Sequence, residues 1–157
     1  MPRAGPRRRR TPRLVLHLQI VSRAASVPSL AQVRRWARAA LKVSAEITVR
    51  IVGAAEARQL NCRYRGRDYA ANVLSFPYAL SRGLVQGDIV LCAPVIAREA
   101  LAQGKTLEAH FAHLTVHALL HLQGLRHLRR RDAAHMEALE KKLLAKLGYP
   151  DPYDAPG

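Results

Sequence analysis

Five of the seven histidines in this chain fall between His110 and His127, and the centre of that stretch reads His117-Ala-Leu-Leu-His121-Leu-Gln-Gly124-Leu-Arg-His127. Residues four apart lie one above the other on a helix face, so His117 and His121 can aim their imidazole nitrogens at one point. Imidazole binds zinc at about 2.0–2.1 Å, which gathers all ligating atoms within roughly 4 Å of one another. A third ligand cannot come from further along the same straight helix, because eight residues, as between His113 and His121, rise by about 12 Å. The chain has to turn back. Gly124 lets the backbone enter the left-handed region and end the helix, and His127 follows three residues later, placed to reach an ion from the side. Three neutral imidazoles with a fourth position open to water describe a catalytic site holding one Zn2+ per chain, rather than a closed structural one. Nickel or copper would fit the same ligands in a test tube. His110 and His113 lack this support and read as surface groups or as supports for the ligands. His17 and His135 read as structural.

The spacing H-x-x-x-H-x-x-G-x-x-H also resembles the zinc motif of metzincin peptidases. Those enzymes place a Glu directly after the first His as general base. Here that position is Ala118, which cannot accept a proton, so the peptidase mechanism lacks its base.

The charge balance points to a polyanion. The chain has 157 residues, with 26 Lys and Arg against 11 Asp and Glu, a formal charge of +15. Residues 1–13 carry six arginines and no acid, so nine of the fifteen positive charges belong to the rest of the chain. A basic tail alone is usually just solvated, and the charge of the body is the stronger argument for nucleic acid. Aromatic residues are only 5%, which predicts that base stacking is a minor term. No run approaches the roughly 20 apolar residues that cross a bilayer, so no membrane partner is expected. An Arg-rich start could be a mitochondrial transit peptide, but it lacks Ser and holds three prolines. The expected location is cytoplasmic. Cys62 and Cys92 form no C-x-x-C pattern and read as small core residues.

The elements that must position the histidines follow from periodicity. Leu14–Val21 alternates as a strand whose Leu14, Leu16, Leu18 and Ile20 share one aliphatic face. Ser29 and Gln32 form a capping box for a helix burying Val33, Trp36, Ala37, Ala40 and Leu41. Ile47, Val49 and Ile51 alternate as a second strand, and residues 54–64 read as a helix after Gly53. Residues 72–76 and 88–92 are two more strands, joined by a connection containing Pro77 and Gly83, and Pro94 opens a short helix to about Ala102. Thr106 caps the histidine helix, whose apolar stripe is Leu107, Phe111, Leu114, Ala118 and Leu122. A last helix runs from about Asp132 to Gly148 with Met136, Leu139, Leu143 and Leu147 inward. The fold expected is α+β: one α/β-type domain with a mixed sheet of about four strands, five or so helices and a zincin-like metal helix. Residues 1–13 form a disordered basic tail, 14–150 the domain, and 151–157 a loose C-terminal tail.

Two segments resemble the YbeY family of bacterial endoribonucleases, also called rRNA maturation factors. One runs Leu60-Asn61-Cys62-Arg63-Tyr64-Arg65-Gly66-Arg67-Asp68, then Asn72-Val73-Leu74-Ser75-Phe76-Pro77 and Gly87-Asp88-Ile89-Val90-Leu91-Cys92; the other is the histidine segment. With the order of elements, the resemblance covers about residues 14–150. The chain departs from the family's usual pattern at Ala71 in place of Thr, Ala118 in place of Gly, and Leu125-Arg126 in place of Tyr-Asp before His127. None removes a ligand, but the acid missing before His127 removes whatever proton-handling role it had. The resemblance implies a zinc-dependent endoribonuclease specific for single-stranded RNA, acting in 3′-end maturation of 16S rRNA and in ribosome quality control. It also implies partners in the small ribosomal subunit and its assembly proteins.

The family's conserved arginine maps onto Arg65. Its fork of donors can hold two phosphate oxygens and offset the charge of the pentavalent transition state. Arg63, Arg67, Arg126 and Arg130 are candidates for tracking the RNA backbone, which predicts binding that weakens with salt. Bound zinc would polarise a phosphoryl oxygen or lower the pKa of its water toward about 7. If water attacks, the product carries no cyclic phosphate; if the 2′-OH attacks, a cyclic end forms and DNA resists. No clear general base or acid stands out. The alternative reading is a non-catalytic, zinc-stabilised RNA- or ribosome-binding assembly factor, and a third is a metal-dependent hydrolase of another substrate.

Overall fold

A computed structural model describes residues 11–24, 26–81, 83–124 and 130–154. The elements run β1 (Leu14–Ile20), α1 (Leu30–Ala40), β2 (Ser44–Val52), α2 (Ala54–Arg65), β3 (Val73–Ser81), β4 (Leu84–Cys92), α3 (Ala93–Ala102), α4 (Leu107–Leu122) and α5 (Arg130–Leu147). The strands form one mixed sheet in the order β1-β2-β4-β3. β1, β2 and β4 are parallel, and β3 returns antiparallel on the edge beside β4. Among the described residues this is an α+β domain of four strands and five helices, in line with the expected four or so strands and five or so helices.

Alternation along the strands divides the sheet into two unlike faces. Leu16, Ile47, Val49, Ile51, Val85, Ile89 and Leu91 point to one face and pack with α1, α4 and α5 in the main core. Val52, Leu74, Val90 and Cys92 point to the other, where Ala57 and Leu60 of α2 cover them in a smaller core. That second face is only partly covered: Val15, His17 and Gln19 of β1 stand exposed on it.

Several boundaries move for physical reasons. β3 and β4 reach beyond the expected segments and meet at a tight turn where Gly83 takes φ 74°. Pro77, expected in the connection, lies inside β3. It is tolerated there because β3 is an edge strand, and the ladder is irregular between Pro77 and Ala79. α5 begins two residues earlier than expected, at Arg130. Cys62 is exposed rather than core, because α2 buries only a narrow stripe through Ala57 and Asn61; Cys92 is buried.

The segment read as a loose tail from residue 151 is held at Asp151–Asp154. Lys105 Nζ donates to the Pro152 carbonyl at 2.5 Å, Lys141 pairs with Asp151 at 3.2 Å, and Pro152 is buried. Polar partners on the α3–α4 connection and on α5 hold a segment whose shortness suggested that it would be loose.

Candidate active site

α4 carries the histidines through the middle of the molecule. Thr106 caps it, its side chain accepting from Ala109 N at 3.1 Å. The expected single apolar stripe is too narrow, since residues 109–116 are all buried along with Ala118, Leu119, Leu120 and Leu122. A helix apolar on nearly every side belongs in a core, and α4 lies between the sheet and its neighbouring helices.

Two devices fix the end of α4 that bears His121. Gln123 donates from Nε2 to Ala40 O at 2.8 Å and accepts from Lys42 N at 2.9 Å, tying the C-cap to the end of α1. On the sheet side, Gly87 of β4 leaves room for Leu122. A Cβ on Gly87 would stand 2.7 Å from Phe76 O, 3.1 Å from Leu122 Cδ2 and 3.3 Å from Pro77 Cα. Gly124, with φ 100°, then takes the left-handed turn that the sequence required of it.

His117 and His121 lie on one helix face as their spacing demands, with ring centroids 5.2 Å apart and ring planes tilted by 47°. Both are half-buried. Behind them stands a residue that sequence reasoning missed, Glu140 of α5, fully buried. Its Oε1 accepts from His117 Nδ1 at 2.5 Å. Its Oε2 accepts from the Tyr153 hydroxyl and lies 3.5 Å from His113 Nε2, which is also 3.3 Å from that hydroxyl. Burial by itself pushes the Glu140 carboxyl up, but hydrogen bonds from His113, His117 and Tyr153 outweigh it and hold the group down at about 2. Glu140 is therefore ionised at neutral pH. Burial and the hydrogen bond to Glu140 push the Tyr153 phenol far above its ordinary range, so it stays a donor.

His117 and His121 are side chains of a type that could ligate a metal. With Nδ1 engaged by Glu140, Nε2 is the nitrogen through which His117 can ligate, and a carboxylate on the far side of the ring makes that nitrogen more basic. Among the described residues, no three His, Cys, Asp or Glu side chains converge on one point. The expected third ligand, His127, lies outside the described residues, as do Arg126 and the side chain of Arg130.

The other candidates fall in distinct places. His110 and His113 are buried, and His110 Nε2 is 3.0 Å from Glu99 Oε1. Burial lowers the His110 pKa by more than Glu99 raises it, so this imidazole is neutral. Glu99 also accepts from Asn72 Nδ2 at 3.0 Å, so His110 and Asn72 share one carboxylate. His17 and His135, expected to be structural, are exposed on β1 and α5. Arg63 and Arg65 are exposed in the last turn of α2, and Arg67 follows just beyond the left-handed Gly66, where φ is 67°. α2 covers the opposite sheet face from α4.

A mixed sheet thus backs a buried helix carrying an imidazole pair, one member of which, His117, is braced by an internal carboxylate. The family model described as endoribonuclease YbeY matches residues 21–148. The chain is 61% identical over 126 residues to an endoribonuclease YbeY of Aromatoleum aromaticum, covering 80% of this chain and 81% of that one. It is 53% identical over 144 residues to an endoribonuclease YbeY of Methylobacillus flagellatus, covering 92% and 96%. A solution structure of a Thermotoga maritima protein aligns over 90% of this chain and 99% of its own, with a TM-score of 0.55 and 18% identity, and supports the fold. The chain belongs to the endoribonuclease YbeY family and is an RNA-cleaving hydrolase. No helix among the described residues is long and apolar enough to cross a membrane.

Proposed function

We propose that this chain is a zinc-dependent endoribonuclease specific for single-stranded RNA, acting in 3′-end maturation of 16S ribosomal RNA and in ribosome quality control. Its partners on this reading are the small ribosomal subunit and the proteins that assemble it. The observation that carries the metal part is the buried Glu140 carboxylate at 2.5 Å from His117 Nδ1. An imidazole whose second nitrogen is held by a carboxylate is the usual dress of a metal ligand.

His117, His121 and His127 would hold the zinc. When bound, it supplies a Lewis acid for the phosphodiester or its attacking hydroxyl. Glu140 holds His117 in the tautomer that presents Nε2, and Tyr153 with His113 completes the coordination of that carboxylate by hydrogen bonds. Gln123 and Gly87 fix the helix end at His121. Arg65 would hold phosphate oxygens with its planar fork, and Arg63, Arg67, Arg126 and Arg130 would follow the RNA backbone.

The test combines metal content with cleavage of a labelled single-stranded ribosomal RNA fragment, for the wild type and a His121→Ala variant checked by circular dichroism. The expected result is about one zinc per chain together with cleavage, both lost in a folded His121→Ala protein. Zinc without cleavage would favour a binding role in ribosome assembly, and a metal-free active enzyme would overturn the zinc assignment.

A further inference from the structure

The sheet face opposite α4 carries a groove of about 490 Å³ between α2 and the β3 edge, lined by Leu60, Arg63, Tyr64, Phe76, Tyr78 and Asp88 among others. We propose that this groove is a nucleobase subsite for single-stranded RNA, in which one unstacked base lies against Tyr78 and Tyr64 with its donor edge toward Asp88. The inference rests on the chain's RNA substrate and adds a base-reading site on the other face of the sheet from the histidines.

Three observations converge. The first is exposed aromatic surface. Tyr64 is 61% and Tyr78 68% exposed, although large apolar rings are ordinarily withdrawn from water. Both are held in place: Tyr64 meets Phe76 edge to face at 5.2 Å, and the Tyr78 hydroxyl is tethered to Asp88 Oδ2. The ladder irregularity between Pro77 and Ala79 falls on Tyr78, and bulges commonly re-aim a side chain in this way. An exposed ring fixed by its own hydroxyl is a prepared stacking platform, which lowers the ordering cost of binding.

The second is charge. Within the groove, Glu56 is neutralised by a two-pronged ion pair with Arg50 at 2.6 and 2.7 Å, and the lining also includes one further residue of each sign, Asp88 and Arg63. The interior is close to neutral and does not suit a phosphate. The rim is basic: Arg65 and Arg67 are exposed just beyond the lining residues, and the guanidinium of Arg63, itself a lining residue, lies 5.8 Å from the Tyr64 ring centroid. A neutral slot with an arginine rim fits a nucleotide with its base inside and its phosphate outside.

The third is the acceptor. Asp88 on β4 lines the groove beside Val90, and among the described residues one of its two oxygens is engaged, by the Tyr78 hydroxyl. A carboxylate selects an edge that offers adjacent N–H donors, which among the four bases is guanine.

The experiment is fluorescence anisotropy of the full-length protein with two labelled uridine-rich oligoribonucleotides, one carrying a single central guanosine. The label is checked on a gel for intactness after each titration. Wild type is expected to prefer the guanosine oligonucleotide several-fold. Tyr78→Ala is expected to weaken its binding about tenfold, in line with stacking energies measured per base. Asp88→Asn is expected to remove the preference while leaving binding to the uridine oligonucleotide. Tyr78→Phe keeps the platform without its tether and should fall between wild type and Tyr78→Ala; Leu101→Ala, exposed on α3, is the control. Unchanged binding in folded Tyr78→Ala and Tyr64→Leu proteins overturns the subsite, and equal affinity of wild type for both oligonucleotides overturns the role of Asp88. Failure of wild type to bind either one would instead overturn RNA recognition itself, and the subsite with it.

Discussion

Glu140 occupies the middle of a buried stripe, Met136, Glu140, Leu144 and Leu147, on the inner side of α5. A carboxylate there costs several kcal/mol of desolvation unless it is fully hydrogen-bonded, and its partners are His117, His113 and Tyr153. Replacing Glu140→Gln keeps the shape and an acceptor for His117 Nδ1 but removes the negative charge behind the ring. Zinc affinity, measured by competition with a chromophoric chelator, should fall by roughly 10- to 100-fold with the far-ultraviolet spectrum unchanged. Unchanged affinity would reduce Glu140 to a packing residue. The histidine pair was legible from sequence because its geometry is local, four residues on one helix. Glu140 was not, because its contact spans 23 residues and its neighbours Leu139 and Leu143 offer a competing apolar stripe. A glutamate spaced by four from both Met136 and Leu144 was the available signal. The tyrosine cluster escaped for a related reason: a low overall aromatic content says nothing of how many rings share one face.

At the scale of elements, the caps and periodicities of α1 and α4 were readable because each depends on a few adjacent residues. The Ser29 capping box is present as expected, with both of its reciprocal hydrogen bonds. What could not be read is how closely elements approach. Gly87 looks in sequence like a weak point in a strand, yet it is the place where β4 receives the end of α4. Gly87→Ala puts a methyl 2.7 Å from the backbone oxygen of Phe76, a group that cannot swing away. Overpacking of this kind costs about 1–3 kcal/mol. The midpoint of urea denaturation should drop accordingly with an unchanged slope, and RNA cleavage should fall further than stability alone accounts for, since Leu122 adjoins His121. A variant as stable and as active as wild type would mean that the β3 edge shifts freely, and that the seating of α4 on Gly87 does not position His121.

At the scale of the whole molecule, the question is which part of the +15 charge meets RNA. Residues 1–10 carry five arginines and no acid, so deleting them still leaves ten of the fifteen net positive charges. Some basic side chains of the body are cancelled in that net charge by a neighbouring carboxylate: Arg50 by Glu56, Arg58 by Asp68 and Lys141 by Asp151. Arg63, Arg65 and Arg67 are exposed around the end of α2, beside the groove and the β3 edge. Each phosphate that such a group neutralises adds about 0.7 to the slope of log affinity against log salt for a single strand. If the body is the RNA surface, the protein lacking residues 1–10 should keep most of that slope, and cleave the same bond at a similar rate. Arg63→Gln with Arg67→Gln in the full-length protein should flatten the slope by about 1 to 1.5. If deletion of residues 1–10 instead abolishes the salt dependence, the tail carries the electrostatic attraction, and the exposed arginines of the body serve only solubility. The α2 rim borders the exposed rings of Tyr64 and Tyr78, so its charges act together with stacking and should matter more for affinity than their number predicts.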